Sequence, residues 1–159
     1  VGREAVSGLR RYVACGRGET GGLLPAAAHL VDTAIFPAGR SGYDSRKAPA
    51  TIPSWAPTAE KLQIAVERLV ATAHPKRIIL FGSRARGNAD ARSDVDLMVI
   101  KGSVANRYEE LVELDRALTG LTMPVDILLV SEAEFEERAA QPGTVESAAR
   151  GEGRVLDAD

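Results

Sequence analysis

The chain has one cysteine, Cys15, among its 159 residues. An internal disulfide is therefore excluded, and such sparing use suits a reducing cytoplasm. A lone thiol with no supporting groups around it reads as an inert bystander. Aromatic residues make up 4% of the chain, and there are two histidines. His74 stands before Pro75 at the end of a helical pattern, where a cation is favoured, and His29 lies in a stretch without clear periodicity; both read as structural. No apolar run approaches the roughly 20 residues that cross a bilayer. The apolar piece LLPAAAHLV lies too far in, and is broken by Pro25, to act as a signal peptide. The net charge of −2 argues for no polyanionic or membrane-surface partner.

What remains is 45% hydrophobic and 26% charged, enough apolar material for one core. It is unevenly spread. Residues 1–50 hold eight of the fifteen glycines and carry seven basic against four acidic residues. Residues 51–159 carry thirteen basic against eighteen acidic. Three prolines punctuate APATIPSWAP, as in a linker, where Trp55 reads as a docking anchor or an exposed ring. The first residue is Val1 rather than Met. Residues 1–57 are therefore expected to be a poorly ordered extension, or the trace of an upstream start, followed by a Pro-rich linker. Residues 58–159 are expected to form the working domain.

From Thr58 the signals sharpen. Thr58 suits an N-cap and Glu60 a first turn. Leu62, Ala65, Val66, Leu69, Val70 and Ala73 follow at helical spacing, and Pro75 closes the helix. RIILF (77–81) and VDLMVI (95–100) read as strands, with a helical turn after Gly82. Asn106 and Glu109 form a capping-box pattern ahead of a helix with Tyr108, Leu111, Leu114 and Leu118 on one face, closed by Gly120. PVDILLV (124–130) reads as a third strand, and Ser131 with Glu134 caps an acidic helix whose Phe135 points inward. GRVL (153–156) suits a terminal strand. The order predicts an α/β layer domain, in the α+β sense: a small mixed sheet flanked by helices.

The stretch that poses a chemical question is FGSRARGNADARSDVDLMVI, residues 81–100. Burying a carboxylate costs several kcal/mol unless it is paired or metal-bound, yet Asp94 and Asp96 open an apolar strand. Alternation puts Asp94, Asp96 and Met98 on one side and Val95, Leu97 and Val99 on the other. Residues two apart on a strand are roughly 6.6 Å apart, a spacing that lets two carboxylates serve one cation or a pair. Asp126, inside the VDILLV run, offers a third acid on a neighbouring strand. Mutual repulsion among three such acids calls for a metal, and magnesium prefers hard oxygen ligands. Upstream, Gly82 permits a tight turn, and Ser83 with the following helical turn directs donors at an anion. Arg84 and Arg86 add charge suited to phosphate, with Arg92 a weaker candidate. The loop is neither a Walker A motif nor a GxGxxG fingerprint.

Gly82-Ser83, ten residues, then Asp94-Val95-Asp96 resembles the GS-x10-DxD signature of the DNA-polymerase-β-like nucleotidyltransferase superfamily. More narrowly, RIILFGSRARG, SDVDLMVI and VDILLV are similar to the minimal nucleotidyltransferase (MNT) domains encoded beside HEPN toxins. The resemblance spans roughly Thr58 to Leu156. It implies the polymerase-β-like nucleotidyltransferase fold. It also implies that Asp94 and Asp96 bind two magnesium ions holding a nucleoside triphosphate. Asp126 would be the third catalytic carboxylate, helping to deprotonate an acceptor hydroxyl. Gly82 and Ser83 would hold the β- and γ-phosphates, with Arg84 and Arg86 as further nucleotide contacts.

After Asp126 too little chain follows for the acceptor-binding domain that larger relatives append, so a partner is expected to supply the acceptor. The resemblance implies a HEPN ribonuclease toxin that receives AMP from ATP on a hydroxyl, typically of tyrosine. The chain would then be a cytoplasmic, type VII-like antitoxin acting as a protein adenylyltransferase. Two alternatives compete: an antitoxin that masks its toxin without turnover, and a small-molecule nucleotidyltransferase. Direct nucleic-acid binding fits poorly, because the working domain is acidic and has no aromatic residues interleaved with basic ones.

Overall fold

A computed structural model describes residues 53–90 and 92–158 of the chain. The expectations for residues 1–52 lie outside them. Five helices and four strands follow in the order α1 (Ala59–Ala73), β1 (Arg77–Phe81), α2 (Gly82–Ala85), β2 (Val95–Lys101), α3 (Arg107–Ala117), β3 (Val125–Ser131), α4 (Glu132–Ala139), α5 (Val145–Glu152) and β4 (Arg154–Ala158).

The helix starts are set by side chains that satisfy otherwise orphaned N–H groups. Thr58 accepts from Lys61 N at 3.3 Å. Ser131 accepts from Glu134 N, and Glu134 Oε2 accepts in return from Ser131 N at 2.9 Å, a complete capping box. At α3 the box is displaced by one residue. Asn106 accepts from Glu109 N, but the returning carboxylate belongs to Glu110, which accepts from Asn106 N at 3.2 Å and from Ala105 N at 2.8 Å.

The sheet runs β3-β2-β1-β4, with β2 and β3 parallel and the other two pairings antiparallel. It is buried on both faces, so β2 carries the unbroken apolar run expected of a central strand. Alternation splits that run between two layers. Leu97 and Val99 join Ile78, Leu80 and Leu129 beneath α1 and α3, where Leu62, Leu69 and Leu114 are fully buried. Met98 and Ile100 join Ile79 and Val130 beneath α4 and α5, around Phe135 and Ala149. Each fully buried Leu, Ile or Phe contributes roughly 1.5–3 kcal/mol, which makes this two-sided sheet the main source of stability. Arg77 and Arg150 lie over the Phe135 ring at 5.7 and 5.1 Å from its centroid.

Two expectations are corrected. Tyr108 does not join the apolar stripe of α3; it is 77% exposed, while Leu111, Leu114 and Leu118 carry the packing. The acidic helix after Ser131 is followed by a separate helix, α5, that begins at a Thr144 cap. Ahead of α1, Lys61 Nζ donates to Ala56 O at 3.0 Å and Thr122 O at 3.1 Å, and Thr122 Oγ1 donates to Ser54 O at 2.8 Å. The last residues of the Pro-rich stretch are thus tied to the domain, with Ala56 buried and Trp55 exposed.

Candidate active site

Strand register sets two of the three acids side by side. Across the parallel β2–β3 ladder, Asp96 is the direct partner of Asp126. Both occupy the side of the sheet taken further along by Met98 and Ile100 of β2 and by Val130 of β3. Asp94 lies one residue ahead of β2 at the same end, where Val95 N donates to Pro124 O at 3.0 Å. Asp96 is half-buried, whereas Asp94 and Asp126 are exposed.

Burial raises the Asp96 carboxyl above its ordinary value, and the neighbouring Asp126 and Asp94 charges raise it further; Arg84 and Arg86 oppose the shift. Desolvation and like charge both disfavour the anion, so the site stores an unfavourable charge that a cation would relieve.

On the other side of Asp96, the antiparallel β1–β2 ladder pairs it with Phe81. The chain then turns at Gly82, whose φ of +70° is readily adopted only by glycine. A Cβ at Gly82 would fall 2.9 Å from Asp96 Cγ, and closer still to Oδ2. The backbone at Gly82 is therefore pressed against this carboxylate, and no side chain fits between them. The short helix α2 starts here with Phe81 at its N-cap and no side-chain cap, so the donors at its start, with the half-buried Ser83, stand next to the acids. The Gly82 turn, Asp96 and Asp126 share one end of the sheet, and Asp94 lies at that end just ahead of β2.

The arginines part company. Arg86 is exposed and ion-paired with Glu152 of α5 at 3.5 Å, within electrostatic reach of Asp96. Arg84, expected as a nucleotide contact, turns inward instead and is 4% exposed. Its Nε donates to Asp94 O at 3.2 Å, and its Nη2 donates to Asp90 O at 3.4 Å and to Ser93 O. Burial pulls its pKa below the ordinary value, opposed by the charges of Asp90, Asp94 and Asp96. A guanidinium presents a rigid fork of donors, and this one fastens the loop that delivers Asp94. The same loop is braced by Asp90, whose Oδ1 accepts from Arg92 N at 2.7 Å and from Ser93 Oγ at 3.1 Å. The Asp-x-x-Ser spacing is the signal that could have found this turn in the sequence.

Whether the acids suit a metal can be judged from the donors alone. Among the described residues no three acidic, histidine or cysteine side chains converge into a ready-made metal shell. The expected cluster of three acids is therefore not a formed metal shell here: Asp96 and Asp126 are side by side and Asp94 lies at the same end of the sheet. Their oxygens are hard, mutually repelling and accessible. Such a set fits a divalent cation that takes the rest of its shell from water and a substrate, as magnesium does.

At the end of a small mixed sheet, a glycine turn thus stands against one of two paired carboxylates. The family model for polymerase beta nucleotidyltransferases matches residues 65–145, half of the chain, and the chain belongs to this family. Three solved structures are similar to it. One is a candidate nucleotidyltransferase from Sulfolobus solfataricus, at 23% identity and TM-score 0.41, covering 49% of this chain and 70% of that one. Another is a toxin–antitoxin complex with AMP-PNP, at 20% identity and TM-score 0.40, covering 60% and 72%. The third is a mutant of the toxin–antitoxin MntA–HpeT, at 17% identity and TM-score 0.39, covering 59% and 71%. No curated protein sequence matches the chain. Among the described residues no helix is long and apolar enough to cross a membrane.

Proposed function

We propose that the chain transfers AMP from ATP to a hydroxyl of a partner protein, a HEPN ribonuclease toxin, and so acts as its antitoxin in the cytoplasm. The observation that carries this is the flanking of Asp96 by Asp126 on one side and by the Gly82 turn on the other. Asp94, Asp96 and Asp126 would hold two magnesium ions, which supply neutralising charge for the triphosphate and the leaving pyrophosphate. Gly82 N–H and the Ser83 hydroxyl bind and orient the β- and γ-phosphates. Arg86 adds a cation at the mouth, and Arg84 keeps Asp94 in place from behind. Asp126, at the exposed edge, takes part in removing the acceptor's proton. The acceptor oxygen then bonds to the α-phosphorus as the bond to the bridging oxygen breaks, and pyrophosphate leaves.

The choice of a toxin as acceptor rests on the likeness of RIILFGSRARG, SDVDLMVI and VDILLV to the MNT domains. The test mixes the purified chain with the HEPN protein encoded beside it, ATP and magnesium, and weighs the partner. A gain of one AMP, absent with the Asp94→Ala/Asp96→Ala variant, supports transfer. Full neutralisation of the toxin by that variant would favour masking. Modification of an aminoglycoside-like alcohol with no protein present would favour a small-molecule enzyme.

A further inference from the structure

A cavity of about 170 Å³ lies beside β3, lined by Ile127, Leu128, Leu129 and Val130 together with helix residues. Successive strand side chains point to opposite faces, so a space that touches four consecutive residues runs along the strand's edge. Leu111 of α3 borders it from one layer; Arg138 of α4 and Glu146 of α5 border it from the other. Among the described residues β3 pairs with β2 alone. The outer backbone groups of β3 therefore face a groove walled by helices, the kind of edge that accepts an added strand.

Glu146 supplies an independent observation. It is 3% exposed, and its Oε1 takes an ion pair from Arg138 Nε at 2.8 Å. Its Oε2 is buried with no hydrogen-bond partner among the described residues. An acceptor left without a donor in this way is unfavourable, and an incoming donor would satisfy it.

We propose that this groove docks an extended segment of the acceptor protein as an added strand on β3, with a lysine or arginine of that segment reaching Glu146. The proposal rests on the acceptor being a protein. Position supports it, because the groove begins at Ile127, immediately after Asp126, and a strand laid there leads to the acids. Charge supports it too. Among the residues that line the groove, Arg107 and Arg138 stand against Glu134 and Glu146, and the Glu146 oxygen left without a donor is what favours a basic side chain on the incoming segment. Arg107 of α3 and Glu134 of α4 both line the groove and pair across it at 2.7 Å. An exposed pair of this kind contributes little and yields to an arriving strand.

The probe is a synthetic octapeptide of alternating valine and lysine, compared with its valine–glutamate counterpart on the full chain. We expect the lysine peptide to bind at least about tenfold more tightly and to slow exchange of those amides of residues 127–130 that point away from β2. Glu146→Gln should abolish that preference while leaving ATP binding unchanged. Equal binding of the two peptides, protection confined to the outer faces of α3 and α4, or no binding would overturn the proposal. So would protection, in the free chain, of those amides of residues 127–130 that point away from β2, which would mean that its own N-terminal arm or a second copy fills the groove. All these readouts are of binding, so they stand apart from whether AMP is transferred.

Discussion

Asp96 and Asp126 are direct partners across a parallel ladder, with the Gly82 backbone closing in on Asp96 from the other side. Two like charges at adjacent register positions destabilise a sheet by a few tenths to about 1 kcal/mol. Folding tolerates that arrangement here, as the proposed cation site would require.

The first expectation follows directly. Asp126→Asn should raise the melting temperature of the chain in chelator while abolishing transfer. The wild-type stability should also fall as pH rises through the Asp96 titration. Its folded pKa is raised, so the folded state holds the proton more tightly than the unfolded one, and that advantage disappears once both states are ionised. Thermal melts across pH check both statements; a lower melting temperature for Asp126→Asn would contradict the first.

Gly82→Ala should lose most activity and stability together. The residue adopts a φ of +70°, which costs a side-chain-bearing residue roughly 1–2 kcal/mol, and the new methyl would collide with Asp96. Melts and ATP titrations should both register the change. A variant that melts like the wild type and still binds ATP would show that the close approach is not required.

The two arginines should separate. Arg84→Ala removes a buried cation that holds backbone carbonyls, and should cost about 2–4 kcal/mol with faster amide exchange in residues 90–94. Arg84→Lys should recover part of this, because one ammonium cannot reproduce the fork. Arg86→Ala should change stability by less than about 0.5 kcal/mol and weaken ATP binding. The opposite assignment would follow if Arg84→Ala left the loop protected.

Glu134 should contribute to behaviour in acid. Hydrogen bonds from Ser131 N, Arg107 and Ser131 Oγ lower its pKa to about 2 from the ordinary 4.5. Its contribution is present above pH 4.5 and is lost as pH falls towards 2. Glu134→Gln should lower stability at neutral pH and flatten the acid dependence of the melting temperature across that window. An unchanged slope would remove Glu134 as its source.

Local features were legible in the sequence. Thr58, Asn106, Ser131 and Glu134 announce their helix starts because a cap is a contact between residues three apart. The alternation of β2 is readable for the same reason. What lies beyond local reach was not: the pairing of β2 with β3 joins distant segments, and nothing near Asp126 specifies that its partner is Asp96. The direction of Arg84 was missed because an arginine after Gly-Ser is equally plausible as a phosphate ligand, and only the folded loop offers it three carbonyls. The helix α5 was missed because its exposed first residue, Val145, and its many small residues give a faint apolar pattern.

The most direct measurement is a titration of ATP into the purified chain with and without magnesium, for the wild type and for Asp94→Ala/Asp96→Ala. We expect binding that depends on magnesium in the wild type and is lost in a variant that still melts cooperatively. Unchanged ATP binding in that variant, or none in the wild type with magnesium present, would contradict a nucleotide site built on these acids.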